Sequence, residues 1–302
     1  TRGNGLIKVE GGTINTNQIR TSVLGAENVG GYVQSGGTTN ILGTSTNGDY
    51  YCFNLTYGGN VFNMSGGTLH IHEAHGKGGI FIASSDVNQN VTGGTVIMEI
   101  DDSNDFNITS TAPFYDVILR NSSGGSGEHI LAEGVDVGAT DENLAAQPLV
   151  VLNDLTIEAD AFLNHDGNDV YIGRDFYIDR DAQTPTFDNS GINDSFNDYN
   201  VGYLFDQTKP NNTVFNGEED GEFYIGYNTS DGFEQYFHNI IVEKSENSSI
   251  TVVCDTEKTA QYQEDNGRNH WGKGSILLWI IDQSDYRRMF FIIDIQGDFI
   301  RR

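Results

Sequence analysis

Six consecutive residues, His70-Ile71-His72-Glu73-Ala74-His75, hold three of the chain's seven histidines. On an extended strand His70 and His72 share one face, because side chains alternate with a period of two. Two imidazoles at that spacing can share a metal ion. The plainer reading is a solvated outer face, and no metal ligand is assigned on sequence grounds. Four acidic clusters, Asp101-Asp102, Asp166-Gly167-Asn168-Asp169, Asp179-Arg180-Asp181 and Glu218-Glu219-Asp220, supply the hard oxygen donors that calcium prefers. None has the spacing of a defined calcium loop, so solvated turns are the plainer reading here too. No cofactor is assigned; calcium is the ion these clusters would suit. Chemistry on a sugar polymer would need paired carboxylates, or a basic residue beside calcium-bound acids. Only Arg174-Asp175 and Arg180-Asp181 offer this, and an exposed ion pair on a turn explains either. No Ser-His-Asp pattern, phosphate-binding loop or dinucleotide fingerprint occurs. No catalytic or cofactor-binding residue is therefore assigned, and the chain is expected not to be an enzyme.

The elements that would position these residues are organised around one phrase. Gly-Gly-Thr ends at Thr13, Thr38, Thr68 and Thr95, in steps of 25, 30 and 27 residues. Recurrence at roughly 20–50 residues marks a stacked-repeat architecture. After each Thr come Ile14, Thr39, Leu69 and Val96, and two positions further on Thr16, Ile41, Ile71 and Met98. Between and beyond them lie Asn15, Asn40, His70 and Ile97, then Asn17, Leu42, His72 and Glu99. That alternation predicts a strand with one buried face, in the same register four times. Stacking the four puts the first two sets inside. It puts the histidines outside, with Glu99 across from His72 on the next coil. Glycine tolerates positive φ and close backbone approach, so each pair suits a tight corner. The reading is an all-β chain, a right-handed parallel β-helix with one coil per repeat.

Composition bounds the rest. The net charge is −27, from 43 acidic and 16 basic residues. Such a surface repels nucleic acid and anionic membranes, and no apolar run approaches the ~18 residues of a membrane span. Neither nucleic-acid binding nor membrane insertion is expected. Cys52 and Cys254 would lie many coils apart, far beyond the ~7 Å between Cα atoms that a disulfide allows. Two unpaired, buried thiols are predicted. The sequence opens at Thr1 without Met, and the first Gly-Gly-Thr follows almost at once; the expectation is a processed piece of a longer protein.

Three regions are expected. Residues 1–113 hold the Gly-Gly-Thr coils, with the strand candidates Tyr50 to Leu55 and Gly79 to Ala83 as further sides. Residues 114–255 continue the helix, with a long polar loop at 183–212 leaving it. Within this block Phe114 to Leu119 is echoed by Phe237 to Val242, and Val150 to Asp154 by Thr251 to Asp255, which suggests two successive blocks of one architecture. Residues 256–302 carry both tryptophans and the most apolar strands, and read as an atypical cap, a packing hairpin or the start of a new module.

The strings SGGTTNI, MSGGTLHI and VTGGTVIM, then TSTAPFYDVIL and YFHNIIVEKS, resemble very large repetitive surface proteins of gliding and marine Bacteroidota. The resemblance covers roughly residues 6–255, and the tail departs from it. It implies export by the type IX secretion system, an extracellular place on the cell surface, and a role as adhesin or gliding-motility-like protein. Partners implied are secretion and outer-membrane machinery or surface glycans. The expected function is a non-enzymatic, rigid stalk. The alternatives are a β-helix carbohydrate-active enzyme, a polysaccharide lyase or glycosidase, and a passenger of the secretion machine.

Overall fold

In a computed structural model the chain winds as a parallel β-helix. The structure describes residues 5–21, 30–43, 51–73, 79–122, 125, 127–135, 143–158, 160–179, 203–204, 208–225, 237, 239–245, 248–254, 275–281 and 288–294. The longest face takes strands from nine successive coils: the pair Leu6–Val9 and Thr13–Thr16, then Gly31–Ile41, Val61–Glu73, Gln89–Ile100, Asp116–Asn121, Leu155–Ile157, Phe176–Ile178, Gly221–Ile225 and Ile250–Cys254. Every step between them is parallel.

The four phrases fall in register as their spacing requires: Thr13, Thr38, Thr68 and Thr95 are successive Cα partners. The column that starts Ile14, Thr39, Leu69, Val96 continues through Val117, Leu155, Phe176, Phe223 and Val252. From Thr39 to Phe223 its side chains are buried, and Ile14 at the start is half-buried. Each buried Leu, Ile or Phe contributes ~1.5–3 kcal/mol relative to an exposed site, and a surface ion pair only ~0–1. The inner columns therefore hold the coils together.

Thr39 is the polar member of that column, and the structure shows what satisfies it. Its Oγ1 lies 2.8 Å from the buried Tyr32 hydroxyl, which is 2.6 Å from Gln34 Oε1. The Gln34 amide in turn donates to the carbonyls of Gly37 and Thr68, both at 3.1 Å. Burial pushes the Tyr32 phenol up to about 12.

The glycine corner is a place where register slips, between Gln34 and Thr38 in one coil and between Met64 and Thr68 in the next. The second glycine of each pair has positive φ, +71° at Gly37 and +82° at Gly67. A Cβ on Gly67 would stand 2.6 Å from the Gly37 carbonyl oxygen below it.

A second parallel face runs through Ile19–Arg20, Phe53–Leu55, Ile80–Ile82, Phe106–Ser110, His129–Leu131, Leu163–Asn164 and Tyr203–Leu204. The segments predicted as further sides, around Phe53 and Ile80, lie on it. A third face holds Leu149–Val151, Val170–Ile172, Asn212–Phe215 and Asn239–Val242. Phe114 bridges Val151 in parallel, so this face starts at the residues just before Asp116–Asn121.

This layout corrects part of the sequence reading. The echoed phrases do not occupy equivalent places: Asp116–Asn121 is on the long face, whereas Asn239–Val242 is on the third. Leu149–Val151 and Ile250–Cys254 are swapped in the same way. Val170–Ile172 and Phe176–Ile178, adjacent in sequence, form consecutive sides, one on the third face and one on the long face. Of the predicted 183–212 loop, Tyr203–Leu204 pairs with Leu163–Asn164 as a strand of the second face, and Asn212 opens a third-face strand; residues 183–202 and 205–207 lie outside the described residues.

Cys52 is a buried thiol that forms no disulfide, with its Sγ 3.5 Å from the His72 carbonyl oxygen; Cys254 continues the inner row that runs through Ile178 and Ile225, but its side chain is not among those described. In the tail, Ser275–Ile281 and Arg288–Asp294 form an antiparallel two-stranded sheet of their own.

Candidate functional site

His70 and His72 stand on the outer side of Val61–Glu73, alternating with the buried Leu69 and Ile71. The inward columns force them out. Cα register sets His72 beside Glu99, as the repeats require, and His70 beside Ile97. The side chains make their bonds one step along the diagonal. His70 Nε2 lies 2.6 Å from Glu99 Oε2, and His72 Nδ1 lies 3.0 Å from Asp101 Oδ2. Ile97 offers His70 no acceptor, and side chains in a strand lean along its direction, so both rings reach the next acid. The two rings are 4.0 Å apart, centroid to centroid, and tilted by 35°. His70, His72 and Glu99 each bring one ligand-type atom within 4.8 Å of the other two. The histidine side chains are 18% and 21% exposed and the Glu99 side chain 12%.

Behind the site the same outer row continues through Arg120 and reaches Glu158. Arg120 donates through Nε and Nη2 to both Glu158 oxygens, at 2.6 and 2.7 Å, and its Nη1 is 3.8 Å from Glu99 Oε2. Burial first, then the neighbouring His72, holds the His70 imidazole below its ordinary range, against the upward pull of Glu99. A neutral imidazole keeps the lone pair a metal needs. Sequence reasoning missed Arg120 and Glu158, and it named Asp101 only within an acidic cluster, not as the partner of His72. Continuing the register from Met98 to Leu119 and Ile157 places Arg120 and Glu158 in this row. Asp101 lies beyond the strand end, where alternation gives no signal. His75 lies outside the described residues, as does the Glu73 side chain.

Aspartates at the corners bind backbone, three of them across coils and Asp102 within its own turn. Asp169 accepts from the amide N–H of Asn212 at 2.7 Å, Asp175 from Glu222 at 2.8 Å, and Asp220 from Ser249 at 2.8 Å. Asp102 accepts both the N–H and the side-chain amide of Asn104 at 2.7 Å. These bonds satisfy backbone amides at or beside strand starts and in one turn. Among the described residues, none of these clusters brings three ligand side chains together as His70, His72 and Glu99 do. Arg174 donates to Asp154 on the preceding coil and to Asp175 beside it, so the pair considered for catalysis ties two coils. Burial raises the Asp154 carboxyl above its usual range despite that arginine. Arg180-Asp181 lies outside the described residues. No described helix is long and apolar enough to cross a membrane.

The chain matches no family model, no curated protein and no solved structure.

Proposed function

We propose that the chain is a non-enzymatic segment of a large secreted cell-surface protein, exported by the type IX secretion system, in which it serves as a rigid adhesive or motility-associated stalk. One observation supports this above the rest: a single column of Cα partners passes through nine successive coils of the long face, from Ile14 to Val252. Eight steps at ~4.8 Å each span about 38 Å. Such a column resists bending because every coil is packed on both neighbours. The acidic exterior, at −27 overall, suits a solvated rod that repels its like and leaves secretion machinery or surface glycans as partners. The resemblance of the Gly-Gly-Thr strings to gliding-associated surface proteins supplies the cellular context.

The test is antibody labelling of intact cells of the source organism with serum raised against this chain. Surface label that disappears when type IX secretion is disabled is the expected result. Label confined to permeabilised cells would overturn the reading.

A further inference from the structure

We propose that His70, His72 and Glu99 hold one zinc-class divalent ion between two consecutive coils, with Asp101 orienting His72 from behind. Two imidazoles and a carboxylate are the donor mix of zinc and its neighbours, whereas calcium and magnesium take oxygen almost alone. With Zn–N and Zn–O near ~2.0–2.1 Å, tetrahedral donors stand about 3.3 Å apart. The three donor atoms here already lie within 4.8 Å. An ion would part His70 Nε2 from Glu99 Oε2, now 2.6 Å apart, and draw His72 inward.

The Asp101 contact is a second, independent indication. When His72 donates its Nδ1–H to Asp101 Oδ2 at 3.0 Å, its Nε2 is left with the lone pair. A carboxylate behind a histidine is the arrangement that fixes tautomer and ring orientation at metal sites. Arg120 is the group that could oppose a cation, yet both carboxylate oxygens of Glu158 hold its guanidinium, and its nearest nitrogen stays 3.8 Å from Glu99. Three protein ligands leave the fourth position to water or to an outside donor. The ligands come from Val61–Glu73 and Gln89–Ile100, so the ion staples one coil to the next.

The whole chain, stripped with a chelator, is titrated with zinc chloride by calorimetry and with cobalt(II) by visible absorption. Expected are one-to-one uptake and the intense bands of tetrahedral cobalt. Affinity should fall at least about tenfold in His70→Ala, His72→Ala and Glu99→Gln, and by a similar factor in Asp101→Asn. Circular dichroism checks that each variant is folded; if Glu99→Gln is not, His70→Gln and His72→Gln carry the test. Two results would overturn the site: no heat and no bands at millimolar ion, or affinity lost in His75→Ala and kept in His70→Ala.

Discussion

At the scale of the residue, the sharpest conflict in the molecule is His129. It is fully buried, and both ring nitrogens face carbonyl oxygens, Nδ1 at 3.2 Å from Phe162 and Nε2 at 2.9 Å from Met98. A neutral imidazole has one N–H and can satisfy one of them; only the protonated ring could serve both. Burial outweighs the two carbonyls and pushes the pKa down to about 4. A base whose folded value is depressed stabilises the fold fully above its unfolded value, near 6.5. That contribution is lost as pH falls from there towards about 4, because the unfolded chain takes up the proton first. The loss integrates to about 3 kcal/mol. Denaturation of the native chain and of His129→Gln, measured from pH 7 to 4, should give profiles that diverge on acidification. Carboxylates common to both proteins cancel in the comparison. Parallel profiles would mean that the ring is not shielded from solvent.

At the scale of the element, each long-face strand combines an inward column with a glycine corner, and the two should fail differently. Leu69 is fully buried between Thr39 and Val96. Leu69→Asp places an unpaired carboxyl in that column and should cost upwards of about 4 kcal/mol, with adjacent coils lost together. Gly67→Ala forces a left-handed backbone and a contact with the Gly37 carbonyl, at a cost of about 1–3 kcal/mol. Urea denaturation should rank Leu69→Asp well below Gly67→Ala, and Gly67→Ala below the native chain. Equal midpoints for Leu69→Asp and the native chain would refute the column. This same strand unit explains what the sequence made legible. Gly-Gly-Thr fixes the phase of the alternation, so the first four coils of the long face and the outward histidines follow by counting. The third face does not, because Leu149–Val151 and Val170–Ile172 are three residues long with two turned inward, too short for a period to register. Similar phrases at Phe114 and Phe237 then suggested an equivalence that the coil order denies. What satisfies Thr39 in that column was not legible, because its partner, Tyr32, comes from before the corner.

At the scale of the whole molecule, hydrophobic stacking works against charge. The chain carries −27 on coils only ~4.8 Å apart, well inside the ~10 Å screening length at 0.1 M salt. Acidic groups that stand at one corner are therefore repeated close by: Asp116, Asp154 and Asp175 precede the partnered Val117, Leu155 and Phe176. Arg174 serves two of the three carboxylates. Salt has two opposite effects on such a rod. It weakens the cross-coil pairs, such as Arg120 with Glu158, each worth ~0–1 kcal/mol when exposed. It also screens the repulsion among 43 acidic groups set against 16 basic ones. Excess like charge destabilises a compact state, and the imbalance is too large for the ion pairs seen among the described residues to offset. The melting temperature should therefore rise between 10 mM and 0.5 M sodium chloride, and calorimetry at neutral pH will read it. Chloride and sodium bind no specific site in this scheme, so potassium chloride should give the same rise. A fall in melting temperature over that range would mean that the ion pairs, not the crowding of carboxylates, dominate the exterior.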